Sequence, residues 1–331
     1  MKIVITGGVG FLGQRLARTL LQRGTLIGPS GTEEPIDTIV VLDTVTPEPA
    51  IATDSRLSVA IGDITDRAML AQIIDDRTTS VFHFAAVVSA AAEADFDLGM
   101  RINLHGTLAV LEACRALPHP PRLVFTSSIA SFGGPLPAVV DDTVPQTPQT
   151  SYGAQKAIGE LLVHDYSRKN FVDGRAVRLP TIVVRPGKPN RAASSFASSI
   201  IREPLTSLDA ICPVSPETRL AILSPRQAVV AFLQAHNLPA AAFEHTRSLI
   251  VPGLSVQVSD MVAALQRAAG AQAVQHIRWQ PDAEIQRIIS SWPGAFTSQR
   301  ALNLGFRADA NMDAIVQAFI EDDLPAQRAN T

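Results

Sequence analysis

The sequence predicts an α/β fold: a parallel sheet wound on both faces by helices, with a smaller α/β cap interleaved toward the C-terminus. Three observations predict it. Short apolar runs rich in β-branched residues occur at 2–6, 38–42, 57–61, 80–84 and 122–125, as in strands buried on both faces. Stretches with helical spacing of apolar residues separate them, and such alternation builds a parallel sheet. The first strand also runs into Gly7-Gly8-Val9-Gly10-Phe11-Leu12-Gly13 and then into a helical pattern through Leu16, Leu20 and Leu21 that stops at Gly24. Glycines at 7, 10 and 13 allow a sharp turn, close approach of a pyrophosphate and tight helix–strand packing, while the helix N-terminus offers amide donors. A glycine triplet placed between a strand and a helix reads as the dinucleotide-binding turn of a Rossmann-type, doubly wound sheet.

Composition bounds the rest. At 331 residues the chain exceeds the size of most single cores, so one large or two interleaved domains are expected. Hydrophobic residues make up 46% and charged ones 18%, which places it with globular and not disordered chains. The net charge of −3, without a block of like charges, argues against nucleic acid or an anionic membrane as partner. No apolar run approaches the ~20 residues of a membrane-spanning helix. The chain opens on a strand, leaving no room for a signal segment, so a cytoplasmic location is expected. Cys114 and Cys212 lack metal-type spacing and read as buried, reduced thiols; no metal is expected.

Taken in order, residues 25–35 are polar and contain Gly and Pro, and read as a loop. The strand at 38–42 ends in Asp43, an acid suited to the ribose hydroxyls of NAD and unfavourable to a 2′-phosphate; the alternative is a strand-end turn residue. Its offset from the glycines is longer than usual, and the inserted loop accounts for that. After the third strand, Asp63 is placed either to reach the adenine or to cap the helix starting near Asp66. The fourth strand runs into Ala85-Ala86, small residues that let a cofactor lie close, and His83 within it reads as core. Asn103 lies in a helical stretch, 100–116, where an inward-facing amide needs partners. The fifth strand ends in Thr126-Ser127-Ser128, at the sheet edge where such folds bind ligands.

A Pro-rich rim, 133–150, leads to Thr150-Ser151-Tyr152-Gly153-Ala154-Gln155-Lys156. Tyr152 and Lys156 are one helical turn apart on one face. A phenol titrates near about 10 and is a poor base until a cation favours the phenolate. The strand 176–185 is interrupted by Pro180 and followed by Arg185-Pro186-Gly187-Lys188-Pro189-Asn190-Arg191. Prolines restrain these cations, which suit a carboxylate; a solvated loop is the alternative. Ser194, Ser195, Ser198 and Ser199 follow on a helix start. Later strands are expected at 220–223 and 248–251, with helices at 224–236 and 256–270.

Together these motifs resemble the extended short-chain dehydrogenase/reductase family over nearly the whole chain. The resemblance implies NAD as cofactor, held by Gly7, Gly10, Phe11, Leu12, Gly13, Asp43, Asp63, Ile64, Ala85, Ala86, Tyr152, Lys156 and Pro180. It implies a catalytic set of Ser128, Tyr152, Lys156 and Asn103; spacing to Phe132-Gly133 favours Ser128 over Ser127. The segment Arg178–Asn190, with Ala193–Phe196 and Ile201–Leu205, is similar to that of members oxidising D-erythronate, a four-carbon 2-hydroxy sugar acid, at C2. The acid would then meet Ser128, Tyr152, Thr181, Arg185, Lys188 and Ser195. Residues 1–178 with about 220–252 would form the NAD-binding domain, and about 179–219 with 253–331 the substrate cap. A homodimer through a helix pair containing the Tyr152 helix is compatible with this plan. The rival readings are an NAD-retaining nucleotide-sugar epimerase or dehydratase, and a non-enzymatic NAD-binding regulator.

Overall fold

The computed structural model describes residues 1–189 and 192–329. Strand β1 (Lys2–Thr6) is wholly buried and leads into helix α1 (Phe11–Arg23), which ends at Gly24 with φ 69°. The expected loop that follows contains a hairpin of β2 (Thr25–Ile27) and β3 (Glu33–Pro35). Three-residue strands with mixed polarity carry no readable period. Next come β4 (Thr38–Asp43), β5 (Leu57–Ile61), α2 (Arg67–Ile73), β6 (Thr78–His83), α3 (Ser89–Ala94) and α4 (Phe96–Gly99). A π-helical stretch, Met100–Gly106, continues as α5 (Thr107–Arg115), followed by β7 (Arg122–Ser128), α6 (Ser151–Arg168) and β8 (Asp173–Leu179). The remainder comprises β9 (Thr181–Ile182), α7 (Ser195–Arg202), β10 (Ala210–Cys212), β11 (Arg219–Leu223), α8 (Pro225–Asn237), β12 (Ser248–Ile250), β13 (Leu254–Gln257), α9 (Val258–Val274) and β14 (Ile277–Trp279). It closes with α10 (Ala283–Ser290), α11 (Gln299–Asn303), α12 (Met312–Asp322) and α13 (Leu324–Ala329).

Seven strands form the main sheet in the order β12-β8-β7-β6-β1-β4-β5, paired in parallel. Strand alternation divides its core into two layers. Ile3 and Ile5 pack with Leu16, Leu20, Phe82 and Phe232 on one face, while Val4 packs with Val81, Leu123, Phe125 and Val163 on the other. The chain winds from β1 to β4 and β5 on one side, then returns to β6 on the other. That reversal opens a crevice at the carboxyl ends of β1, β4 and β6.

Pro180 is where the chain leaves this sheet. Having no N–H, it cannot extend the ladder, and β9 beyond it pairs with β11 in a second sheet, β13-β11-β9. A separate core of Val184, Phe196, Ile200, Met261 and Ile315 backs that sheet. The strand expected at 220–223 with the main domain lies in this smaller sheet; the return to the main one comes with α8 and β12. An apolar run of that length fits either sheet, so its pattern could not assign it. Near the C-terminus, Ala301 and Phe306 pack back onto the main core. No helix among the described residues is long and apolar enough to cross a membrane.

Candidate active site

An open cleft of about 1190 Å³ lies at the switch point of the main sheet. Gly7, Gly10, Phe11, Leu12 and Gly13 line it on the α1 side, Asp43 at the end of β4, and Ala85 and Ala86 beyond β6. The backbone is shaped for close approach. Gly7 has φ +66°, and a Cβ on it would lie 2.6 Å from the Ala85 nitrogen; one on Gly13 would lie 2.4 Å from the Gly8 Cα. No described side chain caps α1 at Gly10, so its first amides are left for a ligand. The Asp43 carboxylate is held in place, accepting from Val9 N at 2.9 Å and Thr44 N at 2.8 Å. Ile64 and Gly62 also line the cleft. Asp63 is engaged elsewhere: it accepts from Thr65 N and Oγ1 and from Arg101 at 2.6 Å. The cap of α2 is Asp66.

A smaller pocket of about 480 Å³ is lined by Ser128, Tyr152, Pro180, Thr181, Arg185, Ser194 and Trp292, among others. Arg185 lines both this pocket and the larger cleft. Helix α6 is capped by Thr150, whose Oγ1 accepts from Gly153 N at 3.1 Å. A Cβ at Gly153 would lie 2.1 Å from the Ala130 carbonyl oxygen, so glycine lets the Tyr152 turn press against the chain just past β7. This apposition brings Ser128 to Tyr152.

The electrostatics differ from the simple tyrosine–lysine pair. Burial raises the Tyr152 phenol, and the Arg185 guanidinium, then a hydrogen bond from Ser128, oppose it. Arg185 is itself lowered by burial and supported by Tyr152. Lys156 is buried; its Nζ donates to the Thr126 carbonyl at 2.7 Å and stands 5.5 Å from the Tyr152 ring centroid. Desolvation lowers it to about 7, against an opposing pull from Glu160. Arg185 is thus a second cation, besides Lys156, that favours the phenolate.

Asn103 is buried within the π-helical stretch, with its amide fully engaged. Its Oδ1 accepts from Val87 N at 2.7 Å, and its Nδ2 donates to Val87 O at 3.0 Å and to Gln155 Oε1 at 2.7 Å. It braces the cleft wall against α6. Ser127, next to Ser128, is turned into the core and donates to Glu160. Pro180, expected at the cofactor, lines the smaller pocket. Lys188 is exposed and does not line that pocket. Ser195 lines a neighbouring groove, whereas Ser194 lines the pocket that holds Tyr152. Asn190 and Arg191 lie outside the described residues. Ser194 was noted only as one of four serines at a helix start, and Trp292 carried no sequence signal; each enters the pocket only through tertiary folding. Among the described residues no His, Cys, Asp or Glu cluster is arranged to hold a metal.

The model of the NAD dependent epimerase/dehydratase family matches residues 3–218. The chain belongs to that family. It is an NAD-dependent enzyme, and the resemblance to extended short-chain dehydrogenases/reductases holds along its length. It is 53% identical over 322 residues to a D-erythronate dehydrogenase of Cupriavidus necator, covering 97% of this chain and 98% of the relative. It is 45% identical over 324 residues to a D-erythronate dehydrogenase of Haemophilus influenzae, covering 98% and 100%. A crystal structure described as a nucleoside-diphosphate-sugar epimerase from Agrobacterium tumefaciens superposes with a TM-score of 0.91 at 40% identity, covering 98% of this chain and 95% of that one.

Proposed function

We propose that this chain oxidises D-erythronate at C2 to 2-dehydro-D-erythronate with NAD. One observation carries the reading: a phenol, a serine hydroxyl and a guanidinium share one small pocket that adjoins, through Arg185, the cleft suited to a dinucleotide. The D-erythronate dehydrogenases at 45% and 53% identity support the substrate. NAD would lie along Gly7, Gly10, Gly13, Asp43, Ala85 and Ala86, and when bound supplies the hydride acceptor.

The protein's own work is orientation and proton handling. Arg185 binds the carboxylate of the acid as a fork. Ser128 holds the C2 hydroxyl oxygen against Tyr152. The Tyr152 phenolate takes the hydroxyl proton as C2 becomes a carbonyl. Burial holds this phenol above its ordinary value, and Arg185 and Ser128 relieve part of that penalty. Lys156 and Asn103 act from behind, through Thr126, Val87 and Gln155. Thr181 and Ser194, which line the same pocket, take the hydroxyls at C3 and C4. We place the enzyme in the cytoplasm. Ile158 and Leu161, exposed on α6, support a homodimer built on that helix.

The second reading, an epimerase acting on a nucleotide sugar, is favoured by the description of the 40% identical structure. NADH production separates the two. A dehydrogenase accumulates NADH with D-erythronate, whereas an epimerase converts a nucleotide sugar with no net NADH.

A further inference from the structure

We infer that Glu160, paired with Arg178, is a positioning residue of the catalytic centre: it locks the Lys156 turn to the ends of β7 and β8 and serves as counter-charge to Lys156.

Glu160 lies one helical turn beyond Lys156 on α6 and is only 3% exposed. A carboxylate buried so deeply must have its charge and lone pairs met. Three groups from three other segments do so. Arg178 on β8 reaches it with Nε at 3.0 Å from both oxygens and Nη2 at 2.7 Å from Oε2. Ser127 on β7 donates to Oε1, as does Gln146 of the Pro-rich rim at 3.2 Å. Arg178 in turn stacks on Phe132, 5.2 Å from its ring centroid.

These are the segments that present the reacting groups. Ser127 adjoins Ser128, and Thr126 O takes the Lys156 ammonium. Arg178 is followed by Leu179 and then by Pro180 and Thr181 of the substrate pocket. A single carboxylate therefore fixes α6 to β7, β8 and the rim behind the site.

Its charge has a second effect. The titratable groups that act with Lys156 are Tyr152 and Glu160 on its own helix and His83 on β6; Arg178 is bound to Glu160, and Arg185 acts on Tyr152. His83 is buried and held neutral, at about 3, by desolvation and by Lys156. Glu160 is the carboxylate that acts on Lys156, and it favours the ammonium. Because Arg178 neutralises part of that charge, the pair is a balance with two opposite levers. Removing the carboxylate takes away the one group that favours the ammonium and leaves the Arg178 guanidinium unpaired, which weakens the ammonium. Removing the guanidinium frees the carboxylate and strengthens it.

The chain has four lysines: Lys2, Lys156, Lys169 and Lys188. Lysine labelled with ¹³C at Cε therefore allows Lys156 to be titrated directly by NMR, with Lys156→Met identifying its signal. This readout needs no substrate, so it is independent of the D-erythronate reading, on which only the consequence for turnover rests. In Glu160→Gln the Lys156 midpoint should fall by roughly one pH unit, and in Arg178→Gln it should rise by a similar amount. If erythronate is turned over, the pH profile of kcat should move in the same two directions. Shifts of the same sign in both variants, or none, would reduce Glu160 and Arg178 to packing and overturn the inference. Should Glu160→Gln fail to fold, Arg178→Gln alone decides through the sign of its shift.

Discussion

The cofactor cleft and the substrate pocket meet at Arg185 but are built by different rules. The cleft comes largely from corners where consecutive strands of one sheet end, within the first ninety residues. The pocket draws on Ser128, Tyr152, Thr181, Ser194 and Trp292, contributed by both sheets and by the C-terminal segment. The first is fixed by backbone shape, the second by side chains that only tertiary folding brings together. Backbone requirements leave local marks, such as glycine where a Cβ has no room. Side-chain convergence over more than a hundred residues leaves marks only where a local motif carries a residue, as at Tyr152, and none at Trp292.

Removing the phenol should separate the two most sharply. Tyr152→Phe should lower kcat by roughly a hundredfold to ten-thousandfold while NAD affinity is nearly unchanged. Retained turnover would mean that Tyr152 is not the base. On the cleft side, Asp43→Asn should weaken NAD by roughly tenfold to a hundredfold and narrow its preference over NADP, measured by titration with each dinucleotide. Unaltered preference would show that Asp43 serves only Val9 and Thr44. Arg185 sits on the boundary, so Arg185→Lys tests whether the regions are coupled. We expect the KM for the acid to rise roughly tenfold or more with loss of the fork, together with a smaller loss of NAD affinity. A change in NAD affinity alone would move the carboxylate site elsewhere.

Lys156 gives a pH-dependent test. Its folded-state value is depressed to about 7, whereas an unfolded lysine titrates near about 10.4. Between these the unfolded chain binds more protons, so stability rises with pH across that window and the penalty is full below it. Denaturant unfolding should therefore show the wild type gaining on Lys156→Met from pH of about 7 to about 10. A parallel pH dependence would place the amine in a wetter setting. The smallest effect is expected on the outer face of α6, where Leu161→Glu should shift sedimentation toward monomer with little change in kcat. An unchanged mass would remove α6 from the dimer.

The sequence announced the main sheet, the glycine turn and the Tyr152 helix because each rests on a period or a local steric need. It misassigned finer points where neighbours compete. Ser194 and Ser195 are indistinguishable until the start of α7 is set in three dimensions. Lys188 and Arg185 share a cationic loop, and only the fold shows which one faces inward. The strand at 219–223 has an apolar pattern valid for either sheet. The charge on Tyr152 was expected from the lysine one turn away; that lysine donates to the Thr126 carbonyl while standing 5.5 Å from the Tyr152 ring centroid, and Arg185 from beyond β9 adds a second cation that no local spacing announces.

The central claim is tested most directly by NADH formation from NAD with D-erythronate, run beside L-threonate and UDP-glucose. The account predicts steady NADH production with D-erythronate alone, abolished in Tyr152→Phe. Silence with D-erythronate, with UDP-glucose converted and no net NADH, would contradict it and establish the epimerase reading in its place.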